Sequence, residues 1–274
     1  MVNKALTLFN AHRGERDLTD EDLAAHLAEE AGRLLVAQRK GSLLEGAALG
    51  HAADQVANAF ILTALAEWRP DDAILSEESP DDRERLACSR VWIIDPLDGT
   101  REYAEGRDDW AVHVALAVDG APRIGAVALP AQARLFRSDR VERPRFGDGP
   151  PKMLVSRTRP PAEVRDIAAL LGAQLVPMGS AGAKAMAIVS GAADLYYHAG
   201  GQHEWDNCAP AAVALGAGLH ASRIDGSDLR YNQADTCIPD LVIGRAELAA
   251  RVLEFCRQNS LSPGGIGATG SSPG

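Results

Sequence analysis

The sequence predicts an α+β half built on an antiparallel sheet, followed by an α/β half. Two patterns carry this expectation. Apolar residues alternate through Trp110, Val112, Val114, Leu116 and Val118, and an Asp119-Gly120 turn leads back into Ile124 to Leu129, as in a β-hairpin. Beyond residue 152 short apolar strands alternate with helical patterns, the order that builds an α/β layer. Between the two, residues 140–151 (RVERPRFGDGPP) are proline, glycine and charge and read as an exposed crossover, which divides the chain into domains at 1–145 and 146–258.

Thr19, with Asp22 three residues on, forms a helix-start box, and Leu23, Leu27, Ala31 and Leu34 recur at helical spacing to about Gln38. A second helical pattern runs from about Ala52 to Trp68 with Val56, Phe60 and Ala64 on one face, and Pro70 stops it. Asp54 then falls in its first turn, where a carboxylate suits the helix dipole. The apolar runs Ala73 to Leu75 and Val91 to Ile94 read as strands that end in acidic residues. In the second half, strands are expected at Met153–Val155, Gln174–Val176, Asp194–Tyr197 and Leu241–Ile243. Helices are expected around Glu163–Leu171, Ala181–Val189, Cys208–Leu215 and after the last strand. From 259 the chain is glycine, serine and proline with little to bury, a predicted disordered tail. No repeat occurs at a solenoid period.

With 274 residues, 46% of them hydrophobic, the chain can bury one large core or two smaller ones. A net charge of −10 argues against nucleic acid polymers and anionic membranes as partners, since both would be repelled. An anionic small substrate would need a local reversal of that field, and a bound divalent cation supplies one. Cys88, Cys208, Cys237 and Cys256 show no ligand spacing and are expected as reduced thiols in a cytoplasmic protein. The N-terminal segment (MVNKALTLFNAHRGERD) is broken by charge too early for a signal peptide, and no run approaches the ~18 apolar residues of a membrane span.

The chemistry concentrates in WIIDPLDGTREY, residues 92–103. A buried strand delivers Asp95 to its end, Pro96 turns the backbone, Asp98 follows, and Gly99 tightens the chain before Thr100. Two carboxylates and a hydroxyl in one small volume suit a hard cation such as Mg²⁺, which takes oxygen ligands. Taken alone the motif is also an ordinary Asx-type turn. Two further acidic ends support the metal reading: Glu77 and Glu78 after the strand in ILSEES, and Asp206 in EWDNCAPAA before a small-residue helix.

ILSEES, WIIDPLDGTREY and EWDNCAPAAVALGAG, in that order along the chain, resemble the signature segments of the lithium-sensitive inositol monophosphatase superfamily, from about residue 20 to 257. The segments GSAGAKAMAIVSGAADLYYHAGGQHEWD and HASRIDGSDLRYN are most similar to its CysQ branch, whose members hydrolyse 3′-phosphoadenosine 5′-phosphate and related bisphosphates. The resemblance implies a layered αβαβα fold and a phosphoric monoester hydrolase linked to sulfur assimilation. It also implies two or three Mg²⁺ ions and a homodimer. Glu78, Asp95 and the Leu97 carbonyl would hold one metal, and Asp95, Asp98 and Asp206 a second. Thr100 with Asp54 would orient the attacking water, while Glu77 would support from behind. The N–H groups of Gly99, Thr100 and Arg101 would cradle phosphate. Arg157, Ser180 and Lys184, following Gly179, would contact the rest of the substrate.

Two departures stand out: His198 where many CysQ-like sequences carry arginine, and LGHAAD ahead of Asp54 in place of a threonine-rich approach. His113, His198 and His203 are expected in packing or loop roles. Inositol monophosphate and fructose bisphosphate remain alternative substrates. A haloacid-dehalogenase-like aspartyl nucleophile fits less well, because two residues separate Asp95 from Asp98 where that chemistry needs one. A catalytically silent metal-binding homologue is disfavoured because every matched ligand is acidic or hydroxylic.

Overall fold

The computed structural model describes residues 18–81 and 83–261. Two five-stranded sheets and the helices around them form five layers, α, β, α, β, α, as the family resemblance implies. The N-terminal segment and the tail beyond 261, for which a signal-free start and disorder were expected, lie outside the described residues.

Helices α1 (Asp20–Gly41) and α2 (Gly46–Trp68) form the first layer. Thr19 caps α1 by accepting from the Asp22 amide at 3.1 Å. The helix turns Leu23, Leu27, Ala31 and Leu35 inward, whereas Leu34, expected on that face, lies off it. Helix α2 begins six residues before the expected Ala52, at Gly46, after a Glu45 that makes no side-chain cap. Its buried stripe is Leu49, Ala53, Ala57, Ile61 and Leu65, with Val56 exposed and Phe60 and Ala64 only partly covered. Asp54 therefore sits in the interior of α2, away from the favourable end of its dipole. Burial governs it instead.

The first sheet runs in the order β1 (Ala73–Ser76), β2 (Arg90–Asp98), β3 (Ala111–Val118), β4 (Ala121–Leu129) and β5 (Arg134–Arg137). It is antiparallel except for β1 and β2, which run parallel, so the expected antiparallel sheet is mixed at one edge. The alternation in β3 separates two buried faces: Val112, Val114 and Leu116 meet α1 and α2, while Ala111, Ala115 and Ala117 face the middle of the molecule.

The central helical layer is α5 (Ala181–Val189) and α6 (Glu204–Gly216), rich in alanine so that both sheets can approach closely. A five-residue helix, α3 (Thr100–Ala104), follows β2. The second sheet has the order β7 (Gln174–Met178), β6 (Lys152–Ser156), β8 (Leu195–His203), β10 (Cys237–Gly244), β9 (His220–Ser222). Its far face is covered by α4 (Val164–Leu171) and α7 (Ala246–Gln258). One buried cluster runs from Val91 and Ile93 of the first sheet through Met186 and Val213 to Tyr196 and Leu241 of the second. No helix among the described residues is long and apolar enough to cross a membrane, and the four cysteines are free.

Candidate active site

The site forms where β2 ends and α6 begins. In the ladder Asp95 pairs with His113 and Asp98 with Ala111, and the register slips between them. Pro96 and Leu97 bulge out there, which suits a proline that has no N–H to give. Gly99 follows at φ +88°, a left-handed conformation that closes the turn and starts α3 at Thr100.

Asp95, Asp98 and Asp206 bring carboxylate oxygens within 4.8 Å of one another, and Asp54, Glu77 and Glu78 form a second such group. Asp206 lies within the first turn of α6, not ahead of it as expected, because α6 starts at Glu204. Its Oδ2 accepts from the His203 amide at 2.5 Å, and the His203 side chain returns a bond in a capping box. The Leu97 carbonyl accepts from the Thr100 hydroxyl at 3.1 Å, and that hydroxyl lies 3.5 Å from Asp54 Oδ2.

Crowding of so many carboxylates raises their proton affinity. Burial, with Glu77, Asp98 and Asp206 adding like charge, pushes Asp95 well above the usual range. Burial and then Glu78 and Glu77 raise Asp54 to about 8. Burial of the Glu77 carboxyl, then Asp206 and Asp98, raise it to about 7, and burial and Asp98 raise Asp206 to about 6. An array of hard oxygen donors that must otherwise hold protons is the donor set a divalent cation satisfies.

Asp98 behaves differently. Burial alone would raise it, but His113, Ser180 and Lys184 outweigh burial and bring it down to about 2. Its Oδ2 accepts from Ser180 Oγ and from the Gly182 amide at 2.7 Å, and its Oδ1 from the Ala181 amide at 3.1 Å. The carboxylate of β2 thus caps α5 and meets the positive end of its dipole.

His113 is the residue that sequence reasoning placed among packing roles. It is fully buried, with Nδ1 3.0 Å from the Trp205 carbonyl and Nε2 3.3 Å from Asp98 Oδ2. Burial disfavours its cation, yet Asp98 and the Trp205 carbonyl hold its pKa above the ordinary value. It serves as the internal counter-charge of the cluster. The available signal was a histidine on the small-residue face of β3, but its partner Asp95 depends on a register that the sequence does not display.

Glu77 and Glu78 exchange the emphasis expected of them. Glu77 is exposed on its outer side, yet its carboxyl is close enough to Asp95, Asp206 and Asp98 to feel their charge. Glu78 accepts from Gln55 and stays within the group of Asp54 and Glu77.

A cavity of about 560 Å³ opens from Asp98, Gly99, Thr100 and Asp206 toward Arg157, Lys184 and His198. Two of the expected substrate contacts are already engaged. The Arg157 guanidinium pairs with Glu102 at 2.8 Å and Glu105 at 3.0 Å. The buried Lys184 Nζ donates to the carbonyls of Ser180 at 2.6 Å and Gly179 at 3.2 Å and lies 5.1 Å from the Tyr196 ring centre. Arg101 is exposed at the mouth. His198 and His203 belong to β8, not to a loop; His203 stacks on Trp205 with ring centres 4.7 Å apart.

Residues 17–258 match the inositol monophosphatase family. The chain is 51% identical over 259 residues to the 3′-phosphoadenosine 5′-phosphate phosphatase of Mycobacterium leprae, covering 89% of this chain and 96% of that one. It is 54% identical over 215 residues to the protein of the same name from Mycobacterium tuberculosis, covering 75% and 80%. Among solved structures, CysQ from Bacteroides thetaiotaomicron superimposes with a TM-score of 0.74 at 22% identity, covering 84% of this chain and 99% of that one. This last likeness speaks for the fold.

Proposed function

The chain belongs to the inositol monophosphatase family, and on that premise we propose that it is a phosphatase cleaving the 3′-phosphate of 3′-phosphoadenosine 5′-phosphate. Water attacks phosphorus, the ester bond to the 3′-oxygen breaks, and AMP and inorganic phosphate leave. The observation that carries this reading is the Asp95, Asp98 and Asp206 group, of which Asp98 and Asp206 line a cavity large enough for a nucleotide, with Glu77 and Asp54 close enough to act on Asp95. The names of the mycobacterial relatives support the choice of substrate.

Asp95, Asp98 and Asp206 would hold one Mg²⁺, and Glu77 with Asp95 and the Leu97 carbonyl a second, with Glu78 beside Glu77, in a reading of two or three ions. When bound, these cations would acidify the attacking water and offset the negative charge gathering on the leaving oxygen. Thr100 and Asp54 orient that water through the hydroxyl between them. His113 and the α5 amides fix Asp98, so the metal-facing carboxylates keep their places through turnover. The Gly99, Thr100 and Arg101 amides, at the start of α3 and on the cavity wall, would bind the phosphate oxygens. Ser180 acts through Asp98, to which it donates.

The reading includes lithium sensitivity, a role in sulfur assimilation, and a homodimer in the cytoplasm, the last supported by the free cysteines. Phosphate release from 3′-phosphoadenosine 5′-phosphate tests it. Activity requires Mg²⁺, disappears with a chelator, and is abolished in Asp95→Asn; undiminished turnover in that variant rejects the metal-centred mechanism.

A further inference from the structure

Four cationic side chains line the cavity: Arg101, Arg157, Arg159 and Lys184. Arg157 is held by Glu102 and Glu105, and Lys184 by backbone carbonyls, so neither offers an unengaged charge. Among the described residues, no ion pair or side-chain hydrogen bond engages the guanidinium of Arg101 or Arg159. Arg101 adjoins Thr100 and the carboxylates, whereas Arg159 lies over the glycine segment of β8. Its Nη1 is 3.8 Å from where a Cβ on Gly201 would stand.

That same strand carries His198, which is nine-tenths buried, lines the cavity, and has only the Gly200 backbone near its ring nitrogens, in no well-formed hydrogen bond. Buried polar groups in folded proteins are almost always paired, so an imidazole left short of partners beside an unengaged guanidinium points to a ligand that completes both. Burial, with Lys184 and Arg159 adding like charge, lowers the His198 pKa to about 4. The ring is therefore neutral near pH 7, with one N–H to donate and one nitrogen to accept. A phosphate monoester matches this pair: it carries the negative charge that a guanidinium fork binds and oxygen acceptors for an imidazole N–H.

We infer that Arg159, with His198 beside it, holds the second, non-scissile phosphate of the substrate, the 5′-phosphate when the 3′-phosphate lies at the carboxylates. This assigns the specificity contact to Arg159 in place of Arg157 and Lys184. It rests on the bisphosphate reading above.

Steady-state kinetics of the full chain with Mg²⁺ test this, using 3′-phosphoadenosine 5′-phosphate and 3′-AMP, which lacks the remote phosphate. Arg159 is exposed, so its variants keep the fold. Arg159→Gln is expected to raise KM for the bisphosphate roughly ten- to a hundredfold with kcat little changed, and to leave KM for 3′-AMP unmoved. Arg159→Lys recovers part of the loss, because it restores charge without the fork. Equal effects on both substrates, or none on either, overturn the assignment. A wild-type chain that releases phosphate from other monoesters but not from the bisphosphate overturns the substrate reading itself. Wild-type turnover with an unaffected Arg159→Gln overturns the Arg159 contact alone.

Discussion

The Gly182 amide donates to Oδ2 of Asp98 at 2.7 Å, so a carboxylate at the end of a strand in one layer caps a helix in the next. The approach leaves no room for a side chain, since a Cβ on Gly182 would stand 2.0 Å from His113 Nε2. Catalytic cluster and layer packing are therefore one construction.

Removing Asp98 tests that coupling. Asp98→Ala orphans the Ala181 and Gly182 amides and leaves His113 without its counter-charge, and should lower stability by about 2–4 kcal/mol in urea unfolding while abolishing turnover. A variant with unchanged unfolding midpoint would mean that α5 needs no such cap.

Thr100 stands between the Leu97 carbonyl at 3.1 Å and Asp54 at 3.5 Å. Its single proton can serve only one of them at a time, so the hydroxyl links the Leu97 carbonyl and the helix carboxylate. Thr100→Ala should reduce kcat roughly a hundred- to ten-thousandfold with little change in KM, and Thr100→Ser should retain most of the rate. Equal losses in both variants would point to packing of the methyl group instead.

Glu77 and Glu78 are neighbours with different surroundings, one turned to Asp95 and one to Gln55. Glu77→Gln should raise the Mg²⁺ concentration needed for half-maximal activity by roughly tenfold or more, and Glu78→Gln should do so far less. Titrating activity against Mg²⁺ in both variants decides the order, and the reverse ranking would restore Glu78 as the principal ligand.

The fold was legible where a periodic pattern had a single burial partner: the Thr19 cap, the hairpin through Asp119 and Gly120, and the alternating second half. It was less legible where burial overrode local signals. The start of α2 has no side-chain cap, so Asp54 looked like a first-turn residue when it is an interior one. The short strands β5 and β9 give too few residues for alternation to register. The acidic ligand types could be read directly, but the division of labour between Glu77 and Glu78 depends on which carboxyl turns inward. Lys184 and Arg157 illustrate the same point, since a cation near a motif reveals nothing of the carbonyls and carboxylates that the fold gives it as partners.

Acidity of the cluster sets a pH dependence. Asp54, Glu77 and Asp206 have folded-state values of about 8, about 7 and about 6, all above those of an unfolded chain. The metal-free folded protein therefore holds protons that the unfolded chain has released. Their contribution is full below the ordinary carboxylate range and is lost as pH rises through about 6 to about 8. Mg²⁺ binds the deprotonated forms, so its stabilising effect grows over the same window. Melting temperatures with Mg²⁺ and with a chelator should diverge from about pH 5.5 to about pH 8. A constant difference would show that these carboxylates do not face the metal.

The most direct test of the central claim is the ratio of kcat/KM for 3′-phosphoadenosine 5′-phosphate to that for inositol 1-phosphate, at saturating Mg²⁺. A site whose far end reads a second phosphate predicts a ratio of roughly a hundred or more. A ratio near unity would contradict it, leaving a phosphatase indifferent to the alcohol it releases.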